Sequence, residues 1–246
     1  NVVVVGSFNL DHVWSTATFP VPGETRLGRF SSGPGGKGFN QAIAAVRLGA
    51  RVHFIAAIGN DAIGEGAIAL AEHEGLLAHW QRCTDLASGT AAILLDGAGQ
   101  NLIVVGPGAN LALSVAHVDT HAAAIRDARV LLTQHEVAPE ATRHAHLLAR
   151  AAAALVIHNP APPVDGVAEA PLAGIDILTP NETEFAHLLR AHALHDVPAA
   201  TIAGLEDALL HRLCRDLGVE TVVLTLGSEG VFISEAHGYA RMAAES

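Results

Sequence analysis

The sequence predicts an α/β fold, in which a doubly wound, mostly parallel sheet is flanked by helices and carries a small antiparallel lid. Short runs of Val, Ile and Leu alternate with helical patterns along most of the 246 residues, and this alternation is typical of parallel sheets. The same runs are apolar at consecutive positions, as in strands that helices cover on both faces. Two regions interrupt the alternation, and they supply the predicted lid.

The apolar runs that we predict to form the main sheet lie at residues 2–5, 52–58, 130–132, 155–157, 175–178 and 221–224. The predicted helices lie at residues 40–48, 63–74, 117–126, 139–153, 182–189 and 205–217. Gly49, Gly75 and Gly218 stand just beyond three of these helices. Glycine favours the left-handed conformation that ends a helix, so these positions support the predicted boundaries.

Further strands are predicted in two insertions, drawn from about residues 9–32 and 90–105. In the first insertion, half-polar stretches at residues 11–14 and 26–30 flank the segment PVPG. In the second, apolar runs at residues 90–95 and 101–105 are joined by DGAGQ, which has the composition of a hairpin turn. We expect these strands to form a small antiparallel sheet that covers a cleft.

Composition excludes several classes of protein. The formal net charge is −11, whereas nucleic acids and anionic membranes bind clusters of Lys and Arg, so neither is an expected partner. No apolar run approaches the ~20 residues that cross a bilayer, and we expect a cytoplasmic protein. Cys83 and Cys214 fit reduced thiols rather than a disulfide framework. The 15 histidines are scattered without metal-ligand spacing, so they predict no metal centre.

A glycine-rich segment, GPGGKGFN at residues 33–40, precedes the first predicted helix. Glycines let backbone and ligand approach closely, and a helix start offers free N–H groups. A P-loop is excluded, because Ser31 and Gly38 stand where that motif requires Gly and Ser or Thr. The segment formally matches a dinucleotide fingerprint, with Asp61 about 20 residues later, which leaves an NAD-dependent oxidoreductase as an alternative. That fingerprint belongs directly after the first strand, however, and here an insertion separates the two.

Several motifs in order resemble those of the ribokinase-like sugar kinases, the PfkB family. They are GSFNLD at residues 6–11, PGET at 22–25, the glycine-rich segment followed at family spacing by Gly49 and Gly59, NPAP at 159–162, TPNETE at 179–184 and TLGSEG at 225–230. The resemblance runs from Val2 to about Ile233 and is greatest to the ribokinases within the family. It implies a ribokinase-like fold and an ATP-dependent transfer of phosphate to a sugar, most directly to O5 of D-ribose, giving ribose 5-phosphate.

The resemblance also implies a set of sugar-binding residues, which are Asn9, Asp11, Gly36, Lys37, Gly38, Asn40 and Glu136. Short polar side chains on rigid strand ends suit a sugar, because its hydroxyls both donate and accept hydrogen bonds. Simpler explanations exist for each residue taken singly, since a glycine-rich turn is often only a turn and Asp11 could be a solvated strand-end residue. Phe39 stands where ribokinases usually carry a smaller residue, and we expect it to pack under the lid or narrow the sugar pocket.

By the same resemblance, the ATP site comprises Asn181, Thr225, Gly227, Ser228 and Gly230. Glu184 would contact Mg²⁺ through a water molecule, and K⁺ would serve as an activator. Asn181 followed three residues later by Glu184 is also an ordinary capping box, which stabilises a helix by about 1 kcal/mol. Both roles can coexist. The implied partners are a small sugar, ATP and a second copy of the chain, because pairing lid strands into a homodimer would protect their edges.

Kinases of this family carry their catalytic base, an Asp, in the motif DTxGAGD, whose glycines open a helix that forms an anion hole. That motif does not occur in this sequence. We therefore expect a single domain over residues 1–246 that lacks its C-terminal part, with the base located beyond Ser246. As written, the chain is not expected to catalyse, and a non-catalytic sugar- or nucleotide-binding regulator is a further alternative. The sequence does not separate ribose from fructose, a nucleoside or a keto-deoxy sugar acid.

Overall fold

The computed structural model describes residues 1–163 and 172–245. Their strands are β1 (Val2–Val5), β2 (Asn9–Ser15), β3 (Arg29–Gly35), β4 (Val52–Gly59), β5 (Leu77–Cys83), β6 (Gly89–Leu95), β7 (Asn101–Gly106), β8 (Val130–Gln134), β9 (Leu155–Asn159), β10 (Ile177–Leu178), β11 (Thr221–Thr225), β12 (Val231–Glu235) and β13 (Gly238–Met242). Their α-helices are α1 (Lys37–Arg47), α2 (Ala62–His73), α3 (Val115–Thr120), α4 (Ala122–Arg126), α5 (Pro139–Ala151), α6 (Glu182–Ala191), α7 (Ala199–Ile202) and α8 (Asp207–Asp216).

The main sheet has nine strands in the order β13-β12-β11-β10-β9-β8-β1-β4-β5. From β5 to β11 the neighbouring strands run parallel, and only β12 and β13 are antiparallel to their neighbours. The chain proceeds from β1 to β4 and β5 on one side, then returns to β8 on the other side of β1. In such doubly wound sheets, ligands bind at the carboxyl ends of the strands beside the reversal. The predicted fold class is confirmed.

The core lies on both faces of the main sheet. Because successive side chains of a strand point to opposite faces, Val3 and Val5 belong to one apolar cluster and Val4 to the other. All three are fully buried. This two-sided burial explains why the strands read as unbroken apolar runs. None of the described helices is both long enough and apolar enough to span a membrane.

Some boundaries differ from the predictions. The predicted helix at 117–126 forms as α3 and α4, because the backbone turns at His121, which has a φ of −106° and a ψ of 18°. The predicted strand at 175–178 is reduced to β10, and α1 begins at Lys37 rather than at residue 40. The edge strands β5 and β13 were not predicted. Both are partly exposed and interrupted by polar residues, so they lack an apolar run.

The lid sheet, defined as β3-β2-β6-β7, has four strands and stands apart from the main sheet. The pairs β2–β3 and β6–β7 are antiparallel, as predicted, whereas β2 and β6 run parallel. β3 spans Arg29–Gly35 rather than the predicted 26–30, so the lid continues directly into α1. The lid sheet therefore joins the main sheet next to the end of β1.

Candidate active site

The predicted site residues follow the carboxyl ends of parallel strands. Asn9 comes after β1, Glu136 after β8 and Asn181 after β10, while Thr225 ends β11. These strands lie in the order β11-β10-β9-β8-β1, so their carboxyl ends meet along one edge of the sheet. The predicted sugar residues lie at the β1–β8 end of this edge, and the predicted nucleotide residues lie at the β10–β11 end.

The carboxylate of Glu136 is fastened to the start of α1. Its Oε2 accepts hydrogen bonds from the Ser7 hydroxyl at 2.5 Å and from the backbone N–H of Lys37 at 2.8 Å. The Ser7 hydroxyl also accepts from the N–H of Gly38 at 3.3 Å, and the Ser7 carbonyl accepts from the N–H of Phe39 at 2.9 Å. The first N–H groups of α1 therefore have protein partners. They do not form the open ligand site that the glycine-rich segment led us to expect.

The glycines of this segment let two parts of the protein touch. Gly36 has a φ of 91°, and a Cβ there would lie 2.9 Å from the backbone nitrogen of Asn9. A Cβ on Gly38 would lie 2.5 Å from the backbone nitrogen of Ser7. Close packing of residues 6–9 against α1 thus requires both glycines in its own right. Their contact with a sugar stays a prediction.

Asp11 lies on β2 at the centre of the lid sheet. A Cβ on Gly35 would come within 2.1 Å of its carboxylate, so Gly35 supplies the space in which the carboxylate sits. Burial and then the nearby charge of Glu136 raise the pKa of Asp11, while His12 acts in the opposite direction. The carboxylate of Asp11 on the lid and that of Glu136 after β8 are therefore close enough to interact. Such a pair of acceptors suits a ligand that carries hydroxyl donors.

Asn9 opens β2 and is almost fully buried. Its Oδ1 accepts a hydrogen bond from Nδ2 of Asn110 at 2.8 Å. Asn110 lies in a short 3₁₀ helix, Gly108–Ala112, which follows the last lid strand. The amide of Asn9 is thus held by Asn110 at the root of the lid, by which we mean the end of the lid sheet where β2 begins and β7 ends.

Lys37 and Asn40 differ in their surroundings along α1. Lys37 is half-buried, and its charge lies close enough to Glu184 to act on the pKa of that carboxyl. Lys37 thus begins the helix that Glu136 holds, while its charge acts on Glu184. Asn40 is exposed and lines a groove of about 330 Å³ together with Pro34 and Arg47. The structure places Asn40 outside the Ser7–Glu136 network.

Phe39 is a core residue. It is 2% exposed, and its ring packs edge-on against Phe8 and Phe54, with ring centroids 5.1 Å and 5.9 Å away. The larger side chain is accommodated by this aromatic cluster beneath β1 and α1. The expectation that Phe39 narrows the sugar pocket is therefore not supported.

The predicted nucleotide residues begin with a complete capping box on α6. The N–H of Glu184 donates to Oδ1 of Asn181 at 2.9 Å, and the Asn181 N–H and Nδ2 donate to the Glu184 carboxylate at 2.9 and 3.0 Å. Burial raises the pKa of Glu184, which the hydrogen bond from Asn181 and the charge of Lys37 partly offset. The cap holds both side chains rigidly at the edge of the sheet.

A cavity of about 590 Å³ opens beside this cap. Its walls include Asn181, Thr225, Gly227 and Gly230, whereas Ser228 is not among them. Thr225 is tied to the cap by a backbone hydrogen bond from its N–H to the carbonyl of Pro180, at 2.9 Å. The volume lies within the usual range for small-molecule sites. Four of the five predicted ATP residues are thus brought together.

The structure does not support the dinucleotide interpretation. The Asp61 carboxylate caps α2 by accepting from the N–H of Gly64 at 2.8 Å, and it also accepts from the N–H and hydroxyl of Ser88 at 2.8 and 2.7 Å. In the dinucleotide motif this carboxylate must bind a ribose. β1 also leads into the lid rather than into a helix. Among residues 1–163 and 172–245, no cluster of His, Cys, Asp or Glu side chains is arranged to hold a metal ion.

Three residues of the site were not singled out from the sequence. Ser7 and Gly35 lie in the motifs GSFNLD and GPGGKGFN, in which other residues are the predicted ligand contacts. Membership of these motifs is the sequence feature that could have identified them. Asn110 contacts Asn9 across 101 positions of sequence, and no local pattern marks it.

Comparison with known proteins places these features in context. The sequence profile described as the pfkB family carbohydrate kinase matches residues 1–245. The ribokinase of Haemophilus influenzae is 39% identical over 235 residues, which cover 95% of this chain and 74% of that protein.

Solved structures are similar over the whole chain. A ribokinase from Giardia lamblia superposes with a TM-score of 0.87 at 27% identity, covering 100% of this chain and 76% of that one. A ribokinase from Arabidopsis thaliana, complexed with ribose and ATP, gives a TM-score of 0.77 at 28% identity, covering 98% and 77%. The chain thus spans about three quarters of the length of these relatives.

Proposed function

The chain belongs to the pfkB family of carbohydrate kinases, and we propose that its protein is an ATP-dependent kinase that phosphorylates D-ribose at O5. The observation that carries the proposal is the network at the β1–β8 reversal, where Glu136 binds Ser7 and the start of α1 and lies near enough to the lid residue Asp11 to act on its carboxylate. The cavity beside Asn181 lies farther along the same sheet edge. The similar proteins named above are ribokinases, and one of them was solved with both ribose and ATP.

In the sugar half of the site, each proposed residue has a distinct role. The carboxylates of Asp11 and Glu136 accept hydrogen bonds from sugar hydroxyls, and Lys37 supplies a mobile donor with a positive charge. Oε2 of Glu136 is already engaged by Ser7 and Lys37, so Oε1 is the oxygen offered to the sugar. We also keep Asn40 as a proposed contact of the sugar hydroxyls, and Gly36 and Gly38 as residues that allow close approach.

In the nucleotide half, we assign the ATP phosphates to Asn181 and the adjoining turn at Gly227, Ser228 and Gly230, with Thr225 beside them. Mg²⁺ prefers oxygen ligands and keeps several of its waters, which suits a carboxylate that binds it through water. Both oxygens of Glu184 accept from Asn181 yet retain lone pairs for such a contact. Bound with the nucleotide, Mg²⁺ would offset the phosphate charge. Activation by K⁺ stays a prediction.

We propose that the residues named here act by positioning the two substrates. Phosphoryl transfer depends largely on alignment of the acceptor oxygen and on stabilisation of phosphoryl charge. We assign Lys37 to both halves of the site, because its backbone N–H binds Glu136 and its charge acts on Glu184. Closure of the lid sheet would exclude water from the cleft and so limit hydrolysis of ATP. The base expected beyond Ser246 stays a prediction.

We also propose a homodimer formed through the lid sheet. The lid face opposite Asp11 carries Trp14, Phe30, Leu102 and Val104, which share that face by strand register and are all exposed. The edge strands β3 and β7 have unpaired backbone groups, which natural proteins usually cover. A second copy of the same sheet would bury both features. Sedimentation equilibrium that returned a monomer at micromolar concentration would contradict this assembly.

The proposed function is tested by ADP release from the protein expressed from its complete gene, with Mg²⁺ present. The acceptor panel is D-ribose, 2-deoxyribose, fructose, adenosine and 2-keto-3-deoxygluconate, with and without K⁺. We expect release with D-ribose above all. Lys37→Met should reduce kcat/KM for ribose by about a hundredfold, because it removes the cation that serves both halves.

Arg47→Met is the matched control, because Arg47 ends the same helix and its side chain is 66% exposed. It should change kcat/KM by less than twofold. Release with another acceptor alone would reject ribose as the substrate. A folded protein that bound NAD and released no ADP with any acceptor would reject the kinase.

A further inference from the structure

We infer that Asn110 is a positioning residue that sets the amide of Asn9, so that Asn9 presents an N–H donor to the sugar. The inference deepens the proposed function and rests on it. Asn110 lies outside every motif that identifies the sugar site, yet its side chain donates a hydrogen bond to that of Asn9.

The orientation of the Asn110 amide follows from its partners. Its Oδ1 accepts from the backbone N–H of Phe8 at 3.0 Å, and its Nδ2 donates to the carbonyl of Phe8 at 2.9 Å. A flipped amide would set its NH₂ against an N–H and its oxygen against a carbonyl. The backbone of Phe8 therefore allows one orientation only. Asn110 is 1% exposed, so water cannot readily replace these bonds.

The orientation of Asn9 follows from that of Asn110. The second hydrogen of Asn110 Nδ2 is donated to Oδ1 of Asn9 at 2.8 Å. Oδ1 of Asn9 thus faces the lid root, and Nδ2 is the polar group turned away from it. Among the described residues, Nδ2 of Asn9 has no acceptor, and it is not sealed from solvent. It shares the strand face of Asp11, which borders the cleft.

Gly89 makes this arrangement possible. In the strand register, Gly89 lies opposite Asn9, at the start of β6. A Cβ on Gly89 would lie 2.2 Å from Nδ2 of Asn110 and 2.2 Å from Oδ1 of Asn9. Any side chain at this position would therefore separate the two amides. The lid root is built around their contact.

A consequence for the ligand follows. Asp11 and Glu136 can only accept hydrogen bonds when ionised, whereas Asn9 held in this way can only donate on the cleft side. A hydroxyl that gives its proton to a carboxylate still has lone pairs for the Asn9 N–H. A matching ligand therefore has hydroxyls that donate to the two carboxylates and accept from the Asn9 amide.

The test measures binding of D-ribose and of ATP by isothermal titration calorimetry. Asn110→Asp keeps the shape of the side chain but places an oxygen against the Phe8 carbonyl and against Oδ1 of Asn9. We expect Asn9 to flip and the Kd for D-ribose to rise about tenfold, the effect of one lost hydrogen bond. The Kd for ATP should stay within twofold. Asn101→Asp, on exposed β7, is the matched control and should leave both constants unchanged.

A double-mutant cycle separates positioning from general structural damage. In an Asn9→Ala background, Asn110→Asp should change the Kd for ribose by less than twofold, because the amide it acts on is absent. A full tenfold loss in that background would overturn the inference. An unchanged Kd for ribose in the single variant would overturn it as well.

A second variant approaches the contact from the backbone and leaves every binding side chain in place. Gly89→Ala should weaken ribose binding at least tenfold. Gly66→Ala, on α2 and outside the lid sheet, meets nothing within 4 Å and should have no effect on ribose binding. Equal ribose affinities for a folded Gly89→Ala variant and the Gly66→Ala control would reject the inference. If the wild-type protein itself bound ATP but no D-ribose, the proposed substrate would fail, and this inference with it.

Discussion

The main sheet and the lid sheet obtain their stability in different ways. In β4 of the main sheet, Phe54, Ile55, Ala56, Ala57 and Ile58 are completely buried. In β7 of the lid sheet, every residue is exposed, although most of them are apolar. The main sheet is therefore stabilised by burial within its own chain, whereas the lid is held by strand pairing and by its roots. Apolar side chains that the fold itself leaves uncovered are available to a ligand or to a second copy.

Loss of a buried ring from the main sheet should destabilise the protein most. Phe54→Ala should lower the free energy of unfolding by about 3–5 kcal/mol, because it leaves a cavity beside Phe39 and Trp80. Val104→Ala, at a side chain that is 73% exposed, should cost no more than about 0.5 kcal/mol. Urea denaturation at protein concentrations below any dimerisation measures both. Similar losses for the two variants would show that the lid shares the core's stability.

A second, smaller effect is expected at the junction of the two sheets. Gly38→Ala should destabilise the protein by about 2–3 kcal/mol, because the new Cβ would press on the backbone of Gly6 and Ser7, which cannot rotate away. Gly66→Ala in the exposed part of α2 meets no neighbour within 4 Å. It should stabilise by about 0.5–1 kcal/mol through helix propensity. Thermal unfolding of both variants checks the sign, and a neutral Gly38→Ala would mean that the junction is loosely packed.

The smallest effect concerns acid, which should act on the main sheet. The Thr133 hydroxyl lies 2.8 Å from Nε2 of His146 and 2.8 Å from Nδ1 of His158, whose Nε2 lies 2.9 Å from Nε2 of His135. Burial, followed by the charge of His135, lowers the pKa of His146 to about 4. Burial and the charges of His135 and His146 also lower the pKa of His158 well below its usual value.

A histidine in the unfolded chain has a pKa near 6.5. Below that pH the unfolded chain therefore binds a proton at His146, whereas the folded chain, with its lower pKa, does not. Stability should therefore fall as the pH falls, by about 2 kcal/mol for His146 between pH 7 and pH 5. His146→Gln should flatten this slope in urea melts at pH 5, 6 and 7. His237→Gln, at an exposed position, should leave the slope as it is. Identical slopes for both variants would remove His146 as a source of acid sensitivity.

The parts of the fold that were predictable from sequence are those whose cause is local. A strand that is buried on both faces is apolar at consecutive positions, so the predicted positions of β1, β4 and β11 agree closely with the observed ones. The edge strand β5 is half-buried and interrupted by polar residues, and nothing local distinguishes it from a loop. The first turn of α1 was missed because its N–H groups are satisfied by Ser7 and by Glu136, 99 positions away from Lys37.

The site shows the same division. Asn9, Asp11 and Lys37 stand in motifs that are short in sequence, so resemblance to the family is sufficient to point to them. The contacts that hold these residues connect distant segments, as Ser7 does with Glu136 and Asn110 with Asn9. Such contacts depend on how the strands of the main sheet and the lid are arranged in space. A short stretch of sequence does not contain this information. Resemblance thus identifies groups proposed to touch the ligand, whereas the groups that orient them emerge only from the folded chain.

The pairing of Asn9 with Gly35 on one side and with Gly89 on the other defines an axis across the root of the lid. Strands rise about 3.3 Å per residue, so Asp11 lies ~7 Å out from that axis and Trp14 ~16 Å out. A rotation of about 10° would then displace Asp11 by ~1 Å and Trp14 by ~3 Å. A rotation that moves the tip of the lid far enough to admit a ligand would therefore leave the Asp11 carboxylate close to its original position.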